Sequence, residues 1–354
     1  MENKNIKIKQ EAYFEKKVIV SSFLLSILVI YIHANCLKEY GLQDNTMSTA
    51  YWTVNFIANG IGGIAVPMFF VLSGYLYFRN INFSYDIKGQ IQKKQISRIK
   101  SIVIPYLLWN TFGMIFYMSI PRIPFVAYMM NGSYAEISLK NIIKGIFLHE
   151  YYFPLWYLKE LIILISLTQI IGQILKNKKV SIIILSILAI LGILNINLVI
   201  LKLTSVYFFF LGSFLGTYIQ RDFEVKKNNK SIIYYLIAFI MIVSVRTLSY
   251  DNILVRSLYL ISPLFLWRML DVFTEKFNIK PFMKQSFFVY CSHIIIITTV
   301  TKILGKIVKS NNEIGIIVNF LLSPIISLMV IYLIYKFLIK YLNKFYCIIC
   351  GNRR

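Results

Sequence analysis

Ten apolar runs, each long enough to form a helix reaching most or all of the way across a bilayer, constrain this chain more than any other feature. They cover residues 18–36, 56–78, 101–120, 154–175, 180–201, 204–220, 231–246, 253–272, 285–304 and 314–341. Backbone in hydrocarbon has to satisfy its own hydrogen bonds, so runs of this length are read as helices. Composition agrees: 58% of residues are hydrophobic and the mean hydropathy is +0.66, more apolar surface than one soluble core can hide. Only the stretch around Lys202 divides the fifth run from the sixth, and two helices fit that length better than one. The expected fold is an all-α polytopic membrane protein. It forms one domain over residues 1–354, a single bundle of about ten transmembrane helices with short tails at 1–17 and 342–354.

Charge orients this arrangement. The chain carries 38 Lys and Arg against 15 Asp and Glu, a formal net charge of +23. The basic residues lie between apolar runs and not on one face, so membrane lipid, and not nucleic acid, is the expected anionic partner. With the N-terminus inside, 27 of the 38 fall on inside segments, 10 fall on outside segments, and Lys159 lies within a helix. This bias puts both termini in the cytoplasm. Lys16-Lys17 before an apolar run resembles a signal peptide, but no small-x-small cleavage site follows, and Asn35 before Cys36 spoils a lipobox. The first run is therefore read as an uncleaved helix.

The remaining candidates are few. Cys36 and Cys291 sit in apolar segments, and Cys347 and Cys350 form a lone C-x-x-C. With three scattered histidines, no metal-ligand spacing is present and no metal is expected. His33, at the outer end of the first helix, is either a general base or an imidazole capping the interface. Glu160, beside Lys159, either orients an imidazolium or belongs to an interfacial ion pair. His293, midway along the ninth helix, is assigned a packing role. The outer loop 121–153, with Tyr128, Tyr134, His149, Tyr151 and Tyr152, is either functional or a cap on the bundle. The basic residues from Arg79 to Lys100, at the entrance to the third helix, suit either phosphates or lipid headgroups.

Five motifs stand in order along the chain: His33; Pro67-Met68-Phe69-Phe70-Val71-Leu72-Ser73-Gly74-Tyr75; Arg98-Ile99-Lys100 leading to Pro105-Tyr106; Leu155-Trp156-Tyr157-Leu158; and Ser286-Phe287-Phe288-Val289-Tyr290-Cys291-Ser292-His293. Together they resemble membrane acyltransferase family 3, the O-acyltransferases that decorate bacterial surface glycans. The resemblance covers essentially the whole chain. It implies a ten-helix core in the bacterial cytoplasmic membrane, a cytoplasmic acyl-CoA donor, an outward-facing glycan or polysaccharide acceptor and a catalytic histidine at His33. Two positions depart from the family pattern: Ser22 stands where an Arg often precedes the histidine, and Ser101 stands where a second Arg often follows Arg98.

The expected reaction is transfer of an acyl group, acetyl above all, from acetyl-CoA to a hydroxyl of an extracytoplasmic glycan. His33 is the expected base and Glu160 its orienting carboxylate. Arg79, Lys94, Arg98 and Lys100 are expected to hold the CoA phosphates. Two alternatives share these features: a transporter or flippase for a glycan intermediate, and a non-catalytic membrane component of a polysaccharide export assembly.

Overall fold

A computed structural model of the chain describes residues 2–119, 137–148, 151–197, 201–227, 229–249, 251–308 and 312–352. Most of the outer loop 121–153, with Tyr128, Tyr134 and His149, lies outside them. Among the described residues the protein is all-α, with no strand. The helices are α1 (Glu2–His33), α2 (Thr49–Val54), α3 (Ala65–Phe78), α4 (Ile87–Arg98), α5 (Ile104–Ser119), α6 (Leu139–Phe147), α7 (Trp156–Ser166), α8 (Thr168–Ile174), α9 (Lys178–Ile193), α10 (Leu203–Tyr218), α11 (Gln220–Glu224), α12 (Asn229–Leu248), α13 (Ile253–Met269), α14 (Asp271–Lys276), α15 (Ser286–Ile307), α16 (Glu313–Tyr341) and α17 (Asn343–Ile349).

Among the described residues, most of each of the ten apolar runs is helical. Among the described residues, seven helices are long and apolar enough to cross a bilayer, or eight if the bent pair Phe153–Ser166 and Thr168–Ile174 is one span. That pair turns by 56° at its break. Helices α9 and α10 have 16 residues each, about 24 Å of rise, which is short of a ~30 Å hydrocarbon core. The chain is a multi-pass membrane protein.

Several boundaries differ from the sequence expectation, each for a tertiary reason. Residues 2–17 are not a free tail but the first turns of α1, where Phe14 and Lys17 are buried. The basic stretch after Arg79 is not a loop: α4 runs through a π-helical turn, Ile99–Val103, into α5. The second run is helical from Thr49 but passes through a π segment (Asn55–Ile61) and a 3-10 turn (Gly62–Ile64), where glycines are dense. Helix α9 stops short at Asn195, whose φ of 55° is the left-handed cap that Asn tolerates.

The helices fall into two compact units, residues 1–87 with 170–336, and residues 88–169 with 337–354. The first unit is built on α3 against α10. A Cβ on Gly212 would lie 1.9 Å from the Val71 carbonyl oxygen, and one on Gly74 would lie 2.0 Å from that of Phe209. No larger residue fits, so the Ser73-Gly74 motif and Gly212-x-x-x-Gly216 let the two backbones touch. In the second unit, α5 and α17 are joined by the Trp109 indole N–H donating to the Ile349 carbonyl at 3.1 Å. Tyr152 is fully buried there, stacked on Trp109 and pressed against Gly113.

Candidate functional site

Within the first unit, α1 and α15 run side by side in the same direction. The Ser26 hydroxyl donates to the Ser286 carbonyl at 3.3 Å. Seven residues further along each helix, two turns, stand His33 and His293. Their ring centroids are 5.0 Å apart and their planes are inclined at 48°. His33 is the last residue of α1 and half-buried, and His293 is fully buried. Two residues 260 positions apart thus form one imidazole pair, which no spacing in the sequence announces.

Hydrogen bonding fixes the His293 tautomer. Its Nδ1 lies 2.5 Å from the Tyr290 carbonyl oxygen, one turn back. A carbonyl only accepts, so Nδ1 carries the hydrogen and Nε2 is left with its lone pair. Among the described residues, Nε2 has no hydrogen-bond partner. A buried ring nitrogen in that state is a cost that packing alone does not explain. The packing role assigned to His293 from sequence accounts for its burial but not for this nitrogen.

The pair stands well away from the ionic layer of the unit. On α1, His33 is 16 residues beyond Lys17, about 24 Å of rise. Around Lys17 the charges are paired and buried. Its ammonium is 2.6 Å from Asp271 and 3.9 Å from the centre of the Trp267 ring, and both charged side chains are fully buried. Tyr13 donates to the same carboxylate at 2.5 Å. Nearby, Arg79 meets Glu224 at 2.6 Å and lies over Phe14, while Tyr75 donates to Glu224 at 2.7 Å. Arg268 and Lys227 share Asp222, whose carboxyl is held below the usual range first by the Lys227 hydrogen bond. Of the basic residues expected at the donor, Arg79 is therefore engaged by a carboxylate of its own unit.

The other donor candidates and Glu160 belong to the second unit. Lys94 and Arg98 are one turn apart on α4 and half-buried; Lys100 is exposed in the π turn that follows. Arg98 lines a cavity of about 430 Å³ with Gln95, Ile99, Ile102, Ile162 and Ser166. Apart from Arg98, Gln95 and Ser166 the lining is aliphatic. Glu160 is buried on α7, within the Trp156–Ser166 helix that its Leu-Trp-Tyr-Leu motif opens.

Cys36, three residues past His33, is packed against Ala50 and Ile316. Burial, together with the nearby Glu39 carboxylate, pushes its thiol up to about 11. Such a thiol is a poor nucleophile at neutral pH.

The family model described as an acyltransferase domain, that of acyltransferase family 3, matches residues 23–339, across segments of both units. No curated protein and no solved structure matches the chain.

Proposed function

Because this chain belongs to acyltransferase family 3 and is a membrane acyltransferase, we propose that it moves an acetyl group from cytoplasmic acetyl-CoA to a hydroxyl of an extracytoplasmic glycan in the bacterial cytoplasmic membrane. The observation that carries this reading is the His33–His293 pair, an unpaired ring nitrogen beside a half-exposed imidazole at the end of α1 that the charge bias turns outward. A neutral imidazole there can take the proton of an alcohol as it attacks.

In this mechanism, the neutral imidazole of His33 takes the proton of the acceptor hydroxyl as its oxygen attacks the thioester carbonyl carbon. The tetrahedral intermediate collapses with cleavage of the C–S bond. The departing thiolate takes the proton back from the His33 imidazolium, giving an ester, a free thiol and a neutral histidine. His293 is the proposed positioning residue: its Nδ1–H is fixed by Tyr290, and its ring lies 5.0 Å from that of His33. Lys94, Arg98 and Lys100 are the proposed cations for the CoA phosphates, with Arg79 held by its ion pair. The apolar slot beside Arg98 suits the pantetheine arm.

Direct transfer is favoured over an acyl-cysteine relay because the Cys36 thiol is buried and its pKa raised. A histidine base contributes about 10²–10⁴-fold, and holding both substrates in register supplies much of the remainder. The test uses detergent-purified protein. Acetyl-CoA should bind, and radiolabelled acetyl should pass to a cell-envelope glycan fraction. A protein that binds no acetyl-CoA while transporting the glycan across vesicles would instead be a flippase.

A further inference from the structure

At the same end of the first unit as His33 lies an open cavity of about 540 Å³, lined by both polar and apolar groups. Ile32, the neighbour of His33, forms part of its wall. The π and 3-10 segment of the second run, the C-terminal ends of α9 and α12 and the N-terminal ends of α10 and α13 contribute the rest. Asn59, Asn195 and Asn197 line it, three amides that both donate and accept. Tyr259 contributes an aromatic face.

The cavity's charges do not cancel. Arg256 is clamped by Asp251 through two contacts of 2.8 and 2.7 Å, and that pair is internally neutral. Arg246 has no such partner. Its guanidinium donates to the Gly60 carbonyl at 3.0 Å and lies 4.8 Å from the centre of the Tyr259 ring. Among the described residues, no carboxylate pairs with it. A Cβ on Gly63 would stand 3.3 Å from a terminal nitrogen of Arg246, so the glycine leaves that nitrogen room. An unpaired guanidinium fixed against a ring, in a cavity lined by amides, is a receptor for an anion attached to a hydroxyl-rich molecule.

We propose that this cavity takes an acidic glycan, a sugar chain bearing carboxylate or phosphodiester groups, with Arg246 on the anion, the asparagines on the hydroxyls and Tyr259 under a sugar ring. The assignment of this ligand as the acceptor of acyl transfer rests on the proposed function; the binding itself does not. Bound there, the chain would touch Ile32, the residue before His33 on α1.

Binding is measured with the full-length protein in detergent and no acyl donor, using a galacturonate tetramer, a glycerol-phosphate oligomer and a neutral galactose tetramer. The expected result is that one or both acidic probes bind at least tenfold more tightly than the neutral one. Raising salt from 50 to 500 mM should weaken the acidic binding alone. Preference for the galacturonate or the glycerol phosphate identifies which anion the site is built for. Arg246→Gln should reduce acidic binding by about ten- to a hundredfold, the value of a charge-assisted hydrogen bond, and leave neutral binding unchanged. If that variant does not fold, the comparison of probes and salts on the unaltered protein decides the matter. Equal binding of the neutral tetramer, or full competition by phosphatidylglycerol vesicles, would overturn the proposal. Acidic binding without acyl transfer would leave it standing and refute the proposed reaction.

Discussion

The buried pair Lys17–Asp271 gives the sharpest stability prediction. At 2.6 Å the Coulomb attraction is about 6 kcal/mol at an effective dielectric of ~20. Both side chains are fully buried, and desolvation costs several kcal/mol per ion, so the net worth of the pair is close to zero. Removing one partner is a different matter. Asp271→Leu leaves an ammonium with only the Trp267 face beside it, and Lys17→Met leaves a carboxylate held by the backbone N–H of Lys227. Each single change should cost about 3–5 kcal/mol. Made together they should return to within about 1 kcal/mol of the starting protein, since no charge is left uncompensated. All variants carry Tyr13→Phe, so that no hydroxyl is stranded without its carboxylate. The assay is the temperature at which half of the detergent-solubilised protein survives heating as a monodisperse species. Two harmless single changes, or a double change worse than either single one, would refute the reasoning.

Other expectations follow from separate parts of the molecule. Gly212→Leu should abolish accumulation of folded protein, and Gly212→Ala should cost at least about 1–3 kcal/mol in the same heating assay, because the Val71 carbonyl occupies the space. Cys36→Ser should keep full acyl transfer. With its pKa raised to about 11, the Cys36 thiol is only about one part in a thousand thiolate at pH 8, so alkylation should be slow there and accelerate as pH rises towards 11. Arg98→Glu with Lys100→Glu should raise the KM for acetyl-CoA, and raise it more at low salt, whereas an unchanged KM in a folded protein would assign both residues to lipid.

Much of this architecture is legible in the sequence because lipid imposes one rule on every helix. Most of the described length of each apolar run is helical, and the close-approach role of the Ser73-Gly74 motif follows from small residues alone. What escaped is what depends on partners remote in sequence. Residues 2–17 read as a tail because they are polar, yet Phe14 and Lys17 are buried against Trp267 and Asp271. The span 154–175 reads as one helix, since nothing in its hydropathy marks the 56° break at Leu167. His33 and His293 were each visible as an imidazole in an apolar segment, but their pairing is set by α1 and α15 running parallel. The only hint was that both are ionisable groups placed where lipid would otherwise be. Arg246 carried no motif at all, because its significance lies in having no carboxylate partner among the described residues, which a sequence does not display.

The central claim is that His33 accepts the proton of the acceptor hydroxyl. The direct measurement is transfer of labelled acetyl from acetyl-CoA to the glycan fraction by the purified protein, its His33→Ala variant and its His293→Ala variant. Acetyl-CoA binding and thermal survival are read on the same samples. Loss of about 10²–10⁴-fold in turnover by His33→Ala, with donor binding and thermal survival intact, is the expected result. His293→Ala should reduce turnover less and lower thermal survival, as befits a buried positioning residue. Wild-type turnover in His33→Ala, alongside a dead but well-folded His293→Ala, would contradict the account and move the base to His293.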